Sequence, residues 1–291
     1  MIAASKSRGQ TYRYSVVSAN FSVEVVKCII SIFGLLKARS KEGVNEDNIL
    51  WPSREEIQIY PIPAALYLVK NLMQYRIFLY MDPPSYQILK NLNIISTGLF
   101  CQIFLKKVLN SLQWSALLLL SLGCAVTQLG GESDRVFATP REGLIIALVM
   151  AILSGAAGVY TELVMKKRPK RNINVQNLYM YLFGILLNAI ALLSQETSEK
   201  VFSVGFFHGY DPLVCVMILN HALSGIAVSM VMKYADNIVK VYATSVAMIL
   251  TTLLSVILFQ FRISAAFFLG SCVVCVAVFL HYFSKIPFQG I

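Results

Sequence analysis

Apolar residues run through this chain in blocks long enough to cross a bilayer, interrupted by short polar segments. A spanning helix needs about 20 predominantly apolar residues. Nine stretches approach that length: Val16–Leu36, Ile59–Met81, Tyr86–Leu105, Leu112–Leu129, Gly143–Met165, Val175–Leu193, Leu213–Tyr234, Val239–Phe259 and Ala265–Phe283. The connections leave no room for a separate soluble domain. The pattern therefore predicts an all-α integral membrane bundle, one transmembrane domain over residues 1–291.

Composition agrees with the pattern. Of 291 residues, 57% are hydrophobic and only 14% charged, whereas a soluble domain is nearer half apolar and a quarter charged. This excludes an ordinary cytosolic enzyme, a disordered chain and a nucleic-acid binder with a basic surface. The formal charge of +10 then needs an explanation. Most of it sits in alternate loops: Lys37, Arg39, Lys41 and Arg54 after the first stretch, Lys106 and Lys107 after the third, and Lys166-Lys167-Arg168-Pro169-Lys170-Arg171 after the fifth. Lys233 and Lys240 flank the connection between the seventh and eighth, and Lys285 follows the ninth. The intervening loops lack basic residues or balance them, as Glu132, Asp134 and Glu142 balance Arg135 and Arg141. By the positive-inside rule the basic loops and the C-terminus are cytosolic. Lys6, Arg8 and Arg13 break the alternation: the segment reads either as a lumenal tail or, the favoured reading, as a cytosolic loop after a span absent from this sequence.

Six cysteines lie mostly within apolar runs. Cys272-Val-Val-Cys275 has no second pair at ligand spacing, so no metal site and no cofactor is expected. A faint repeat links Ile94-Ile95-Ser96-Thr97 to Ile249-Leu250-Thr251-Thr252, each following a lysine, Lys90 or Lys240. Five spans separate the copies. An odd number implies inverted halves, here 15–135 and 142–285, an architecture of transporters that bind substrate near the midplane.

Charge inside a span costs about 2.5–3.5 kcal/mol on insertion scales, so it is retained for a reason. Glu24 and Lys27 are three residues apart on one helical face and read equally as a self-neutralising pair or a substrate contact. Glu162, beside the Lys166 cluster, reads as a gate or ion pair. Lys70 with Gln74, Asn71 with Tyr75, and Tyr86 with Lys90 and Asn93 form polar stripes that must face the bundle interior. They suit a water-filled substrate path, with an interhelical polar network as the alternative. In Lys233-Tyr-Ala-Asp236-Asn237-Ile-Val-Lys240, four polar groups stand at i, i+3, i+4 and i+7. The lysines could hold phosphate, with Asp236 holding them when the cavity is empty.

This last segment, followed by Ala243-Thr244-Ser245, resembles the KYADNxxKxxATS signature of nucleotide-sugar transporters in the drug/metabolite transporter superfamily. The branch it resembles carries CMP-sialic acid, UDP-galactose and UDP-N-acetylglucosamine. Glu24-Val25-Val26-Lys27, Tyr86-Gln87 with Ile94–Thr97, Gly158-Val159-Tyr160-x-Glu162 and Phe206-Phe207-His208-Gly209-Tyr210 are similar to further segments of that branch, in order. The resemblance implies ten helices in two inverted five-helix repeats, the first helix missing here. It implies a Golgi or endoplasmic reticulum carrier that imports a pyrimidine nucleotide-sugar in exchange for the nucleoside monophosphate. UDP-N-acetylhexosamines or UDP-galactose are favoured over CMP-sialic acid, and the pattern around Tyr86 is closer to plant members. Membrane lipid is a partner, nucleic acid is not, and self-association is left open.

Residue by residue, the resemblance implies that Tyr86 stacks on the base and that Lys240 binds phosphate. It further implies that Asn71, Asn177, Tyr181 and Ser229 line the site, together with Lys233, Asn237, Thr244 and Ser245 of the signature. Tyr181 stands where tyrosine accompanies UDP-galactose carriers. One departure matters: the family's lysine before the Ile-Leu-Thr-Thr element is Asn93 here, which leaves Lys90, three residues earlier on the same face, as the candidate to supply the charge. Two rivals are weighed. A non-transporting or truncated regulatory member is suggested by Asn93 and the absent helix. An intramembrane enzyme finds no HExxH, no GxGD and no pair of carboxylates in apposed spans.

Overall fold

A computed structural model of the chain describes residues 2, 5, 12–51, 53–128, 140–194, 203–259 and 264–284. Lys6, Arg8, most of the acid-balanced loop before Arg141, and Lys285 lie outside the described residues. Within them the elements are helices: α1 (Val16–Glu42), α2 (Arg54–Ile57), α3 (Pro61–Ile77), α4 (Pro83–Lys90), α5 (Leu92–Leu105), α6 (Ser111–Thr127), α7 (Arg141–Lys167), α8 (Ile173–Leu192), α9 (Pro212–Tyr234), α10 (Asn237–Phe259) and α11 (Ala265–Phe283).

Every apolar stretch read from the sequence carries a helix. Six helical runs among the described residues are long and apolar enough to cross a membrane: Val16–Glu42, Ser85–Leu105, Arg141–Lys167, Ile173–Leu192, Pro212–Tyr234 and Ala265–Phe283. Ser111–Thr127 and Asn237–Thr252 are apolar but shorter. The protein is thus an all-α, multi-pass membrane bundle.

Local chemistry sets many boundaries. Ser15, Asp82, Asn110, Asp211 and Ser264 each accept a backbone N–H at the start of the helix that follows, satisfying one of the orphan donors there. Asn110 and Gln113 complete a reciprocal capping box. α1 runs past the predicted Leu36 to Gly43, whose φ of 72° ends it. The third predicted span is divided at Asn91, which keeps helical angles but separates α4 from α5.

The helices form two compact units. The first comprises Met1–Leu79 and Tyr160–Ala235, the second Tyr80–Val159 and Asp236–Ile291. In the first unit α8 packs on α1 and α3, and α9 packs on α1. Its core includes Cys28, Tyr60, Val164, Met165, Tyr181 and Met232. Gly184 lets α8 approach α1 so closely that a Cβ there would lie 2.8 Å from Glu24 Oε2. In the second unit α6 and α11 form the most extensive pairing. A Cβ on Gly270 would sit 2.5 Å from the Thr127 amide nitrogen, a small-residue contact of the kind that holds helices together in lipid.

Candidate functional site

A cavity of about 320 Å³ lies within the second unit. Its walls are successive turns of three helical segments. The α4–α5 run supplies Gln87, Lys90, Asn91, Asn93 and Ile94. Cys124 and Gln128 come from α6 and its C-cap, and α10 supplies Thr244, Ser245, Met248, Thr251 and Thr252. Among the described residues the lining contains no Asp and no Glu, and Lys90 is its one cation. No carboxylate among the described residues stands within ion-pair distance of Lys90. An ammonium in this position lacks the compensation that charge inside a membrane protein requires, and so favours an anion.

Asn91 sits where the helix is interrupted. Its carbonyl accepts from Ser121 Oγ at 3.3 Å, while its Nδ2 is buried without a hydrogen-bond partner. Buried polar groups are ordinarily paired. This one is a donor held ready beside the cavity.

Three predicted site residues, Lys90, Thr244 and Ser245, are brought together on this cavity. Others of the second unit are placed differently. Tyr86 is buried one residue before Gln87, and Lys240 stands one turn before Thr244, outside the lining. Asn237 is fully buried; its amide donates to Thr97 Oγ1 at 3.4 Å and it packs on Gly158, which makes it a helix-to-helix link. The four-residue stripe from Lys233 to Lys240 is broken, because α9 ends at Tyr234 and Ala235 leaves helical angles (φ −122°, ψ −124°). Asp236 accepts the Val239 N–H at 2.7 Å as a cap of α10 and lies 3.7 Å from Lys107.

Asn71, Asn177, Tyr181, Ser229, Lys233, Glu24, Lys27 and Glu162 belong to the first unit. Lys27 donates to Glu24 Oε1 at 2.5 Å and lies 4.4 Å from the Tyr181 ring centroid, a cation–π contact. Asn177 and Tyr181 are buried and Ser229 is 1% exposed; Asn177 Oδ1 has no partner. Asn71 is half-buried on α3. Glu162, fully buried, pairs with Lys166 at 2.9 Å. Lys233 donates to Gln176 Oε1 at 2.8 Å and to the Arg171 carbonyl.

Arg171 is the largest departure from the charge reading. It counted as a loop cation setting topology, yet it is 8% exposed. Its Nε and Nη2 donate to the two Glu56 oxygens at 2.8 and 2.9 Å, and its Nη1 to the Glu46 carbonyl. The Glu56 carboxylate pushes the guanidinium pKa further above its ordinary value. Asn172 N–H also donates to the Asp47 carbonyl at 2.8 Å, and the Arg39 guanidinium to that of Asn48. The connection between α1 and α2 is therefore strapped to the start of α8. Gln128 and Met248 are likewise cavity residues that the sequence did not single out. For Gln128 the available cue was a carboxamide within the apolar stretch ending at Leu129.

A multi-pass helical bundle with an anion-ready polar cavity defines a membrane carrier of polar solutes. A family profile described as "Nucleotide-sugar transporter" matches residues 1–282. "CMP-sialic acid transporter 2" of Oryza sativa subsp. indica is 59% identical, over 98% of this chain and 80% of that protein. "CMP-sialic acid transporter 4" of Arabidopsis thaliana is 57% identical, over 98% and 81%. A protein of known crystal structure, 13% identical with a TM-score of 0.61 over 94% of this chain and 88% of that one, shares the fold. The chain belongs to the nucleotide-sugar transporter family, in the CMP-sialic acid and UDP-sugar branch of the drug/metabolite transporter superfamily. The family is one of transporters, not enzymes.

Proposed function

We propose that this protein is an exchanger of the Golgi or endoplasmic reticulum membrane. It carries a pyrimidine nucleotide-sugar inward to the lumen and the nucleoside monophosphate outward, with UDP-N-acetylhexosamines or UDP-galactose as favoured substrates. The observation that carries the reading is that Lys90 and Asn93 share one cavity with Thr244 and Ser245 of the signature segment. In this reading Lys90 takes the phosphate charge, and Lys240, one turn before the cavity wall, contributes a second cation. Tyr86 stacks on the base, while Asn71, Asn177, Tyr181 and Ser229 hold the nucleoside. Lys27 and Glu24 neutralise each other within the membrane until the carrier is loaded. The C-terminus is read as cytosolic, and 15–135 and 142–285 as inverted halves.

Exchange follows from electrostatics. An empty carrier would have to move an uncompensated ammonium through a region of low dielectric, which is costly. A loaded one carries the charge compensated. Purified protein in liposomes preloaded with UMP should take up labelled UDP-sugar faster than empty liposomes. Equal uptake into the two would refute obligatory exchange.

A further inference from the structure

We propose that the connection between α1 and α2 is an interfacial anchor, its Trp51 indole lying among phospholipid where headgroups meet hydrocarbon, on the side of the basic loops. Trp51 is 85% exposed, although the backbone that carries it is pinned. The Arg39 guanidinium donates to the Asn48 carbonyl, Asn48 Nδ2 to the Gly43 carbonyl and the Tyr179 hydroxyl to the Leu50 carbonyl. A large ring is therefore held outward by fixed chain, at the end of the first unit.

Helix lengths give the depth. α8 has 20 residues, about 30 Å at about 1.5 Å each, which matches the hydrocarbon thickness of a bilayer. Ile173 at its start therefore stands at the boundary. α1 has 27 residues, and Lys37–Glu42 carry it about 9 Å past its apolar part, into the headgroup layer. From Gly43 the chain comes back. The N–H of Asn172, the N-cap of α8, donates to the Asp47 carbonyl at 2.8 Å, which puts Asp47 level with the boundary. Tyr179 lies about 9 Å deeper along α8, and helical side chains lean toward the start of their helix. The Leu50 carbonyl that it holds thus sits at the boundary or just inside it. Trp51 is the next residue, about 3.8 Å further along the Cα trace. Tryptophan is enriched at this depth because its ring is apolar and its N–H polar. The surface continues the apolar flank of α1, where Phe33 and Leu36 are exposed. Arg54, Arg168 and Lys170 are exposed, and so are Glu46, Asp47 and Glu55; the mixture suits zwitterionic headgroups.

The test uses the indole itself, because the chain has two tryptophans, Trp51 and Trp114. Full-length Trp114→Phe protein in phosphatidylcholine nanodiscs reports Trp51 alone. The difference in emission between wild type and Trp51→Phe reads the same ring with Trp114 untouched, should the first variant fold poorly. Bromine near the glycerol end of the acyl chains should quench Trp51 at least about twofold more than bromine near the methyl ends, as an interfacial ring requires. Iodide in the buffer should quench it only weakly. Strong quenching by iodide with none by brominated lipid would overturn the proposal, since the ring would then stand in water. Insensitivity to both quenchers would overturn it as well, by burying the ring against protein, a second copy included. Either result leaves the transporter reading intact.

Discussion

Replacing Glu56 by alanine leaves the Arg171 guanidinium buried with only the Glu46 carbonyl and its neighbours to satisfy five N–H donors. The side chains are 9% and 4% exposed, and the pair is bidentate at 2.8 and 2.9 Å. Breaking such a pair from one side costs about 3–5 kcal/mol, because the survivor is an uncompensated charge. Water reaching the ends of the helices moves the expectation to about 3 kcal/mol, the low end of that range. Replacing both partners by apolar residues of similar shape, Glu56→Leu with Arg171→Met, removes the charge problem and should recover all but about 1 kcal/mol. The measurement is a double-mutant cycle on unfolding of the purified protein in detergent, with both single variants and the double. Single variants within about 0.5 kcal/mol of wild type, or a double variant no more stable than either single, would refute the argument that this strap is a desolvated ion pair.

Two further outcomes test the packing and the cavity. Gly270→Val drives a side chain into backbone atoms at 2.5 and 2.7 Å that cannot rotate away; it should cost about 1–3 kcal/mol and lower the melting temperature in detergent, and an unchanged melt would show that α6 and α11 yield freely. Lys90→Met should abolish UDP-sugar uptake in proteoliposomes while the protein still inserts and purifies, and Lys90→Arg should retain part of it; uptake unaffected by Lys90→Met would remove the cation from the transport path.

Legibility in the sequence followed the range of the interactions. Apolar length located each helix, because a bilayer demands it of each segment alone. Boundaries were weaker: nothing in the apolar count marked the break at Asn91, and α1 continues through Lys37–Glu42 because helical hydrogen bonding does not stop where hydropathy falls. Lys90 was read from its stripe with Tyr86 and Asn93 as a charge facing the bundle interior, and it does line the cavity. Arg171 was read by net charge and Lys233 as a loop cation and phosphate candidate, yet both have partners 57, 62 and 115 residues distant. Gln128 and Thr252 acquire meaning only when α6 and α10 meet, which no local period announces.

The division of the chain into interleaved units has a consequence for its birth on the ribosome. The first unit needs residues up to Ala235, and the second joins Tyr80–Val159 to the segment that begins at Asp236. Domains fold as units, N-terminal first during synthesis, but here α1 to α3 leave the ribosome long before α8 and α9 exist to cover them. α4 to α6 wait longer still, for α11. Membrane insertion can proceed helix by helix, whereas neither unit closes until late in translation. In the interval the faces that will meet α8 and α11 are presented to lipid, and a chain stopped after α8 would hold two half-built bundles rather than one finished and one absent.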